Sequence, residues 1–186
     1  RPCASARTTA RPHTPSPPAL GPPWPPAFSR GAPGGVPPAF VGNAWGPNMG
    51  EPRPTSLLRV SLIRGLGMLD DSDIVASCRS RFDKFLEDPS TLPPDLRPTV
   101  FAVVGRYADS QTWERLHRLG EKTTSTEEKG TYYDALGQTT NPGLISRYLE
   151  LSLGDELPVS RASAVLGYSA RYGEHSDLVW DFAKAH

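Results

Sequence analysis

The 186-residue sequence predicts an all-α protein, a solenoid of about four antiparallel helical hairpins preceded by a Pro-rich tail. Two observations predict it. Four segments, LGMLDDSDIV, VGRYADSQTW, LGQTTNPGLI and SARYGEHSDLV, share one layout: a small residue near the end of one helix, a polar turn, then mostly apolar residues opening the next. With Ile74, Thr112, Leu144 and Leu178 taken as equivalent, the offsets are 38, 32 and 34 residues. Hairpins repeating at that period stack so that each buries a face on its neighbour. The second observation is the helical spacing of apolar residues from Ser56 onward.

The elements follow in order. Leu58, Leu62, Leu66 and Leu69 fall on one helical face and give the first helix its apolar stripe. Asp70-Asp71-Ser72 supplies cap residues for a second helix over about 72–87, striped by Ile74, Cys78, Phe82 and Phe85. A third helix is expected over about 94–107, with Pro98 pushing its start later. A fourth spans about 110–123 and carries Trp113, Leu116 and Leu119. In STEEKGTYYDAL (125–136), Ser125 and Glu128 have the S-x-x-E form of a capping box, so a fifth helix starts there. Asn141-Pro142 reads as cap and first position of a sixth helix, running to about Leu153. Pro158 precedes the seventh and His175-Ser176-Asp177 the eighth. Gly67, Gly105 and Gly137 fall near the ends of first helices, where a C-terminal glycine is expected.

Residues 1–55 differ in kind. They hold 15 of the 21 prolines, and Arg, Pro, Ala and Gly supply 32 of the first 50 residues. Such a segment buries too little apolar surface to offset its ordering entropy, so a disordered tail over 1–55 and a helical domain over 56–186 are expected. The net charge of zero divides into about +4 for the tail and −4 for the rest, and neither is the dense basic surface that nucleic acid demands. No apolar run of about 18 residues spans a membrane, and the amino-terminal arginines precede no apolar signal region. The sequence does not begin with Met, and a fragment of a longer protein is expected.

The chemistry is sparse. Glu127, Glu128, Lys129, Tyr132 and Tyr133 could serve acid–base work, but a helix start accounts for the carboxylates without a pocket. His13, His117, His175 and His186 form no H-E-x-x-H, and the two cysteines, Cys3 and Cys78, form no C-x-x-C. GYSAR (167–171) lacks the last glycine of a nucleophile elbow and the strand before it, and GLGMLD (65–70) is an incomplete G-x-G-x-x-G inside a helix. Cys78 reads as a small buried residue, and Trp113 and Trp180 as core. Arg97, Arg106, Arg118, Arg147, Arg161 and Arg171 could grip a carboxylate in a groove, though a solvated helix face is the simpler account of them. No catalytic, cofactor-binding or metal residue is assigned.

LEDPSTLPPDLR (86–97), VVGRYADSQTWERL (103–116), STEEKGTYYDALGQTTNPGLISRYLELSL (125–153) and VWDFAKAH (179–186), in that order, resemble the C-terminal helical domain of zinc-dependent aminopeptidases of the puromycin-sensitive and endoplasmic-reticulum type, the bacterial branch most closely. The resemblance covers about residues 56–186. It departs at Val159-Ser160-Arg161-Ala162, where many relatives have Gln-Asp. It implies a HEAT-like solenoid that caps the active site and encloses the peptide-substrate cavity of a parent enzyme, with no zinc or catalytic motif in this chain. It implies that the zinc lies in the parent's catalytic domain, held by H-E-x-x-H and a downstream Glu, and that the setting is a bacterial cytoplasm or periplasm. It implies further helical repeats in place of the tail, whose Arg/Pro/Ala/Gly mixture is also what a shifted reading frame of GC-rich DNA yields. It also implies that the domain continues past His186. The alternative is a free-standing helical-repeat binding module, with stretches such as PPWPP offered as polyproline II ligands.

Overall fold

A computed structural model describes Trp45, Gly46 and residues 53–186, apart from the side chains of Arg53 and Val159. The disorder expected over 1–55 otherwise falls outside the described residues. The elements are α1 (Arg53–Met68), α2 (Ser72–Glu87), α3 (Arg97–Arg106), α4 (Ser110–Lys122), α5 (Thr126–Leu136), α6 (Pro142–Glu150), α7 (Val159–Tyr172) and α8 (Ser176–Ala185). Single 3₁₀ turns at Pro89–Thr91 and Leu151–Leu153 complete them, and no strand occurs among the described residues. Ile74, Thr112, Leu144 and Leu178 each occupy the third position of an even-numbered helix, so the repeat read from the sequence is the structural repeat.

The starts follow local chemistry. Asp71, Asp109 and Asn141 accept bonds from backbone N–H groups of the turn that follows, at 3.0 Å from Ile74, 2.7 Å from Thr112 and 2.9 Å from Gly143. Pro98 sits within the first two positions of α3, where its missing N–H costs nothing. Ser125 caps α5 as the sequence predicts, its hydroxyl 3.3 Å from the Glu128 N–H. The reciprocal half of the box is absent. The Ser125 N–H donates to the Thr123 hydroxyl, which itself donates to the Glu128 carboxylate at 2.8 Å.

The core runs between the layers of odd and even helices. Ile74, Cys78, Phe82 and Phe85 of α2 are buried against Val100, Phe101 and Val104 of α3, and Phe101 meets the Tyr132 ring of α5 at 5.3 Å. Trp113 and Leu116 of α4 are fully buried, and Trp45 joins the same core with the Arg81 guanidinium 3.9 Å above its ring. Burial pushes the Cys78 thiol up to about 12, which makes it inert.

Three expectations need correction. Most of the leucine stripe of α1 faces outward: Leu58, Leu62 and Leu69 are exposed and only Leu66 packs against the core, while Ile63, with Arg59 and Gly67 beside it, faces inward. The leucines satisfied the helical period, but the neighbouring Ile63 face meets α3. Trp180 is 65% exposed and is not core. Finally, the glycines near the ends of odd helices are not left-handed caps. The left-handed residues of these turns are Asp70 (φ 64°) and Glu174 (φ 60°). Gly105 is needed for contact: a Cβ there would lie 2.0 Å from the Ala135 carbonyl oxygen of α5. At Gly67 it would lie 2.5 Å from Val103.

The α5–α7 seam is held differently. Arg161 Nη1 lies 3.1 Å from the Asp134 carboxylate, and the Tyr168 Cβ packs where a side chain on Gly137 would go. Farther apart in sequence, the Arg106 guanidinium donates to the Tyr172 carbonyl at 3.2 Å and to the Glu174 carboxylate, reaching from the second hairpin to the turn of the fourth.

Candidate functional site

Polar residues recur on the odd helices where they face away from the core. Thr131 and Asp134 of α5 stand at i and i+3, opposite the buried Tyr133 and Leu136, and the buried Gln138 follows at i+7 just past the helix end. Together they line a groove. One part, a cavity of about 290 Å³, lies between the starts of α3 and α5 and is bounded by Arg97, Pro98, Phe101, Glu127, Thr131 and Tyr132. A second part, about 130 Å³, shares Pro98 and Thr131 and continues to Arg64, Asp134, Gln138 and Tyr168. Across the start of α5, a further cavity of about 270 Å³ is lined by Lys129, Tyr133, Leu157 and Arg161 among others.

Several ionisable groups of the groove are shifted by burial. Burial pushes the Asp134 carboxyl above its ordinary range, against the opposing pull of Arg161 and the Tyr168 hydroxyl. Burial raises Tyr168 and Tyr132 too, with Asp134 and Glu128 adding to it respectively. Arg64, Asp134, Gln138 and Tyr168 line the groove's inner part; Asp134 takes bonds from Arg161 and Tyr168, and the buried Gln138 Oε1 has no hydrogen-bond partner. Glu128 is occupied, bonded to Thr123 and 3.8 Å from Arg97, and Glu127 stands at the helix start; nothing near them pairs a base with a nucleophile.

Five of the six arginines singled out from the sequence are ion-paired: Arg97 with Glu128, Arg106 with Glu174, Arg118 and Arg147 with Glu114, and Arg161 with Asp134. Arg171 lies 5.3 Å from the Tyr172 ring centre. Sequence reasoning missed Arg64, Asp134, Gln138 and Tyr168. The one available signal was the polar i, i+3, i+7 stripe that begins on α5, and Arg64 and Tyr168 join it only through tertiary packing.

The model of the ERAP1-like C-terminal domain matches residues 38–186. The chain belongs to that family. The match takes in 38–55, which the sequence resemblance had left out. Individual members agree. The chain is 27% identical to Aminopeptidase 2 of Candida albicans over 101 residues, 54% of this chain and 11% of that protein. It is 28% identical to the puromycin-sensitive aminopeptidase of Caenorhabditis elegans over 101 residues, 54% of this chain and 11% of that protein. It is 30% identical to the thyrotropin-releasing hormone-degrading ectoenzyme of Rattus norvegicus over 112 residues, 60% of this chain and 10% of that protein. The chain thus spans about a tenth of these relatives. In this ERAP1-like domain the described residues bring together one group of potential metal ligands, His117, Glu121 and Glu156. It offers one histidine where the catalytic zinc site expected of the parent enzyme takes two, so it is not that catalytic site.

Proposed function

We propose that this chain is a non-catalytic part of a zinc aminopeptidase, and that its odd-helix face covers the catalytic domain and borders the cavity holding the peptide substrate. The observation that carries the reading is the groove between α3 and α5, continued to Arg64 and Tyr168, whose mixed polar and apolar lining suits a peptide and holds no reacting pair. The uncovered apolar side chains support it. Among the described residues the large exposed ones lie on α1 (Leu57, Leu58, Leu62, Leu69) and near the other end (Leu153, Trp180), where an array of stacked hairpins would bury them on further repeats. The peptide and the catalytic domain are the partners proposed, and the zinc belongs to the latter.

The test is the coding region immediately upstream. A reading frame there encoding H-E-x-x-H and a downstream Glu is the expected result; a gene whose product begins within residues 1–55 would sink the proposal. In the full protein, Asp134→Ala should change kcat/KM for long peptides by about tenfold and leave an aminoacyl chromogenic substrate unaffected, the pattern of a contact remote from the reacting bond.

A further inference from the structure

His117 and Glu121 stand one turn apart on α4, and Glu156 comes in from the segment joining the 3₁₀ turn to α7. His117 Nε2 lies 2.6 Å from Glu156 Oε1, and the nearest ligand atoms of all three lie within 4.8 Å of one another. The imidazole is held in place, its ring 5.2 Å from Trp113 and 5.9 Å from Tyr133, with the side chain only 9% exposed. The Tyr133 hydroxyl donates to the same Glu156 oxygen. This is the arrangement of a ligating carboxylate steadied by an outer hydrogen bond.

Glu121 and Glu156 have no lysine or arginine ion pair among the described residues, although they converge on one point.

We propose that His117, Glu121 and Glu156 form a divalent-cation site that fastens α4 to the segment leading into α7. One imidazole nitrogen and two carboxylates suit a borderline cation such as Zn²⁺. Bond lengths of about 2.0–2.2 Å set ligand atoms about 3–3.6 Å apart, which rotation of the exposed Glu121 side chain supplies. The cation replaces whatever proton His117 Nε2 shares with Glu156, and water completes the coordination. Its role is structural, because none of the three ligands lines the groove. Only the i, i+4 pair is local in sequence, and the third ligand arrives 35 residues later through the fold.

The experiment is titration of the metal-stripped chain with Zn²⁺ alone, read by isothermal calorimetry and thermal melting, with Co²⁺ absorption reporting the nitrogen ligand. One equivalent should bind, and the melting temperature should rise with Zn²⁺. Glu121→Gln alters an exposed side chain and leaves the fold intact by circular dichroism. It should weaken binding at least tenfold, His117→Gln should abolish it, and Tyr133→Phe should weaken it about tenfold while keeping the stoichiometry. Absence of stoichiometric binding, or Zn²⁺ affinity unchanged in Glu121→Gln, overturns the proposal, and neither result bears on the proposed aminopeptidase role.

Discussion

The seam between α3 and α5 and the seam between α5 and α7 solve one packing problem in two ways. At the first, the backbones meet: Gly105 lies so close to Ala135 that no side chain fits, and Phe101 and Tyr132 fill the flank. At the second, side chains span the gap, with Arg161 bonded to Asp134 and Tyr168 packed over Gly137. The first seam is mainly apolar, with one long ion pair, Arg97–Glu128, at its mouth; the second rests on a half-exposed ion pair whose strength depends on screening and pH. The groove touches both: its larger cavity opens at the first seam, and its continuation reaches Asp134 and Tyr168 at the second.

Four substitutions break or sharpen that contrast. Tyr132→Ala should have the largest effect, about 3–5 kcal/mol in denaturant melts, since it empties the apolar seam of a large aromatic. Gly105→Ala should follow at about 1–3 kcal/mol by overpacking, because its methyl group meets backbone that cannot swing aside. A Gly105→Ala protein that melted like the parent would show that the two helices are free to part. Ser125→Ala should cost about 0.5–2 kcal/mol through the lost cap of α5, and Glu127→Gln, tested beside it, about 0.3–1 kcal/mol through the helix dipole alone.

The smallest effect concerns pH. Asp134 sits above the ordinary carboxylate range, so its contribution to stability is full below the unfolded-state value and is lost as pH rises through the folded-state value. Asp109, held below that range by the backbone N–H of Thr112, behaves oppositely: its contribution is present above the unfolded-state value and is lost as pH falls. Melting temperatures from pH 3 to 7 should therefore drop less steeply toward acid in Asp109→Asn than in the parent, and more steeply in Asp134→Asn. Equal slopes in the two variants would refute the assignment.

The sequence made the hairpin repeat legible because turn chemistry is local. Asp71, Asp109, Ser125 and Asn141 announce helix starts by their own side chains, and each precedes a helix in the structure. Which face of a helix turns inward is not local. The leucines of α1 and the Ile63 face both satisfy a helical period, and contact with α3 decides between them. Trp180 misleads for the same reason, since its periodicity is genuine and the surface it would need is not among the described residues. The groove was barely readable: Asp134 and Gln138 stand on one stripe, but Arg64 and Tyr168 reach it from hairpins one and four.

The contact made by Arg106 has a mechanical consequence. In a linear stack where every unit touches only the next, each joint flexes independently and bending accumulates along the rod. A strut from the end of α3 to the turn at Tyr172 and Glu174 leaps over the third hairpin and ties the second to the fourth. The rod becomes a truss over that stretch. Opening the soft α5–α7 joint then requires the strut to release as well, so a groove built on movable side chains keeps a fixed span.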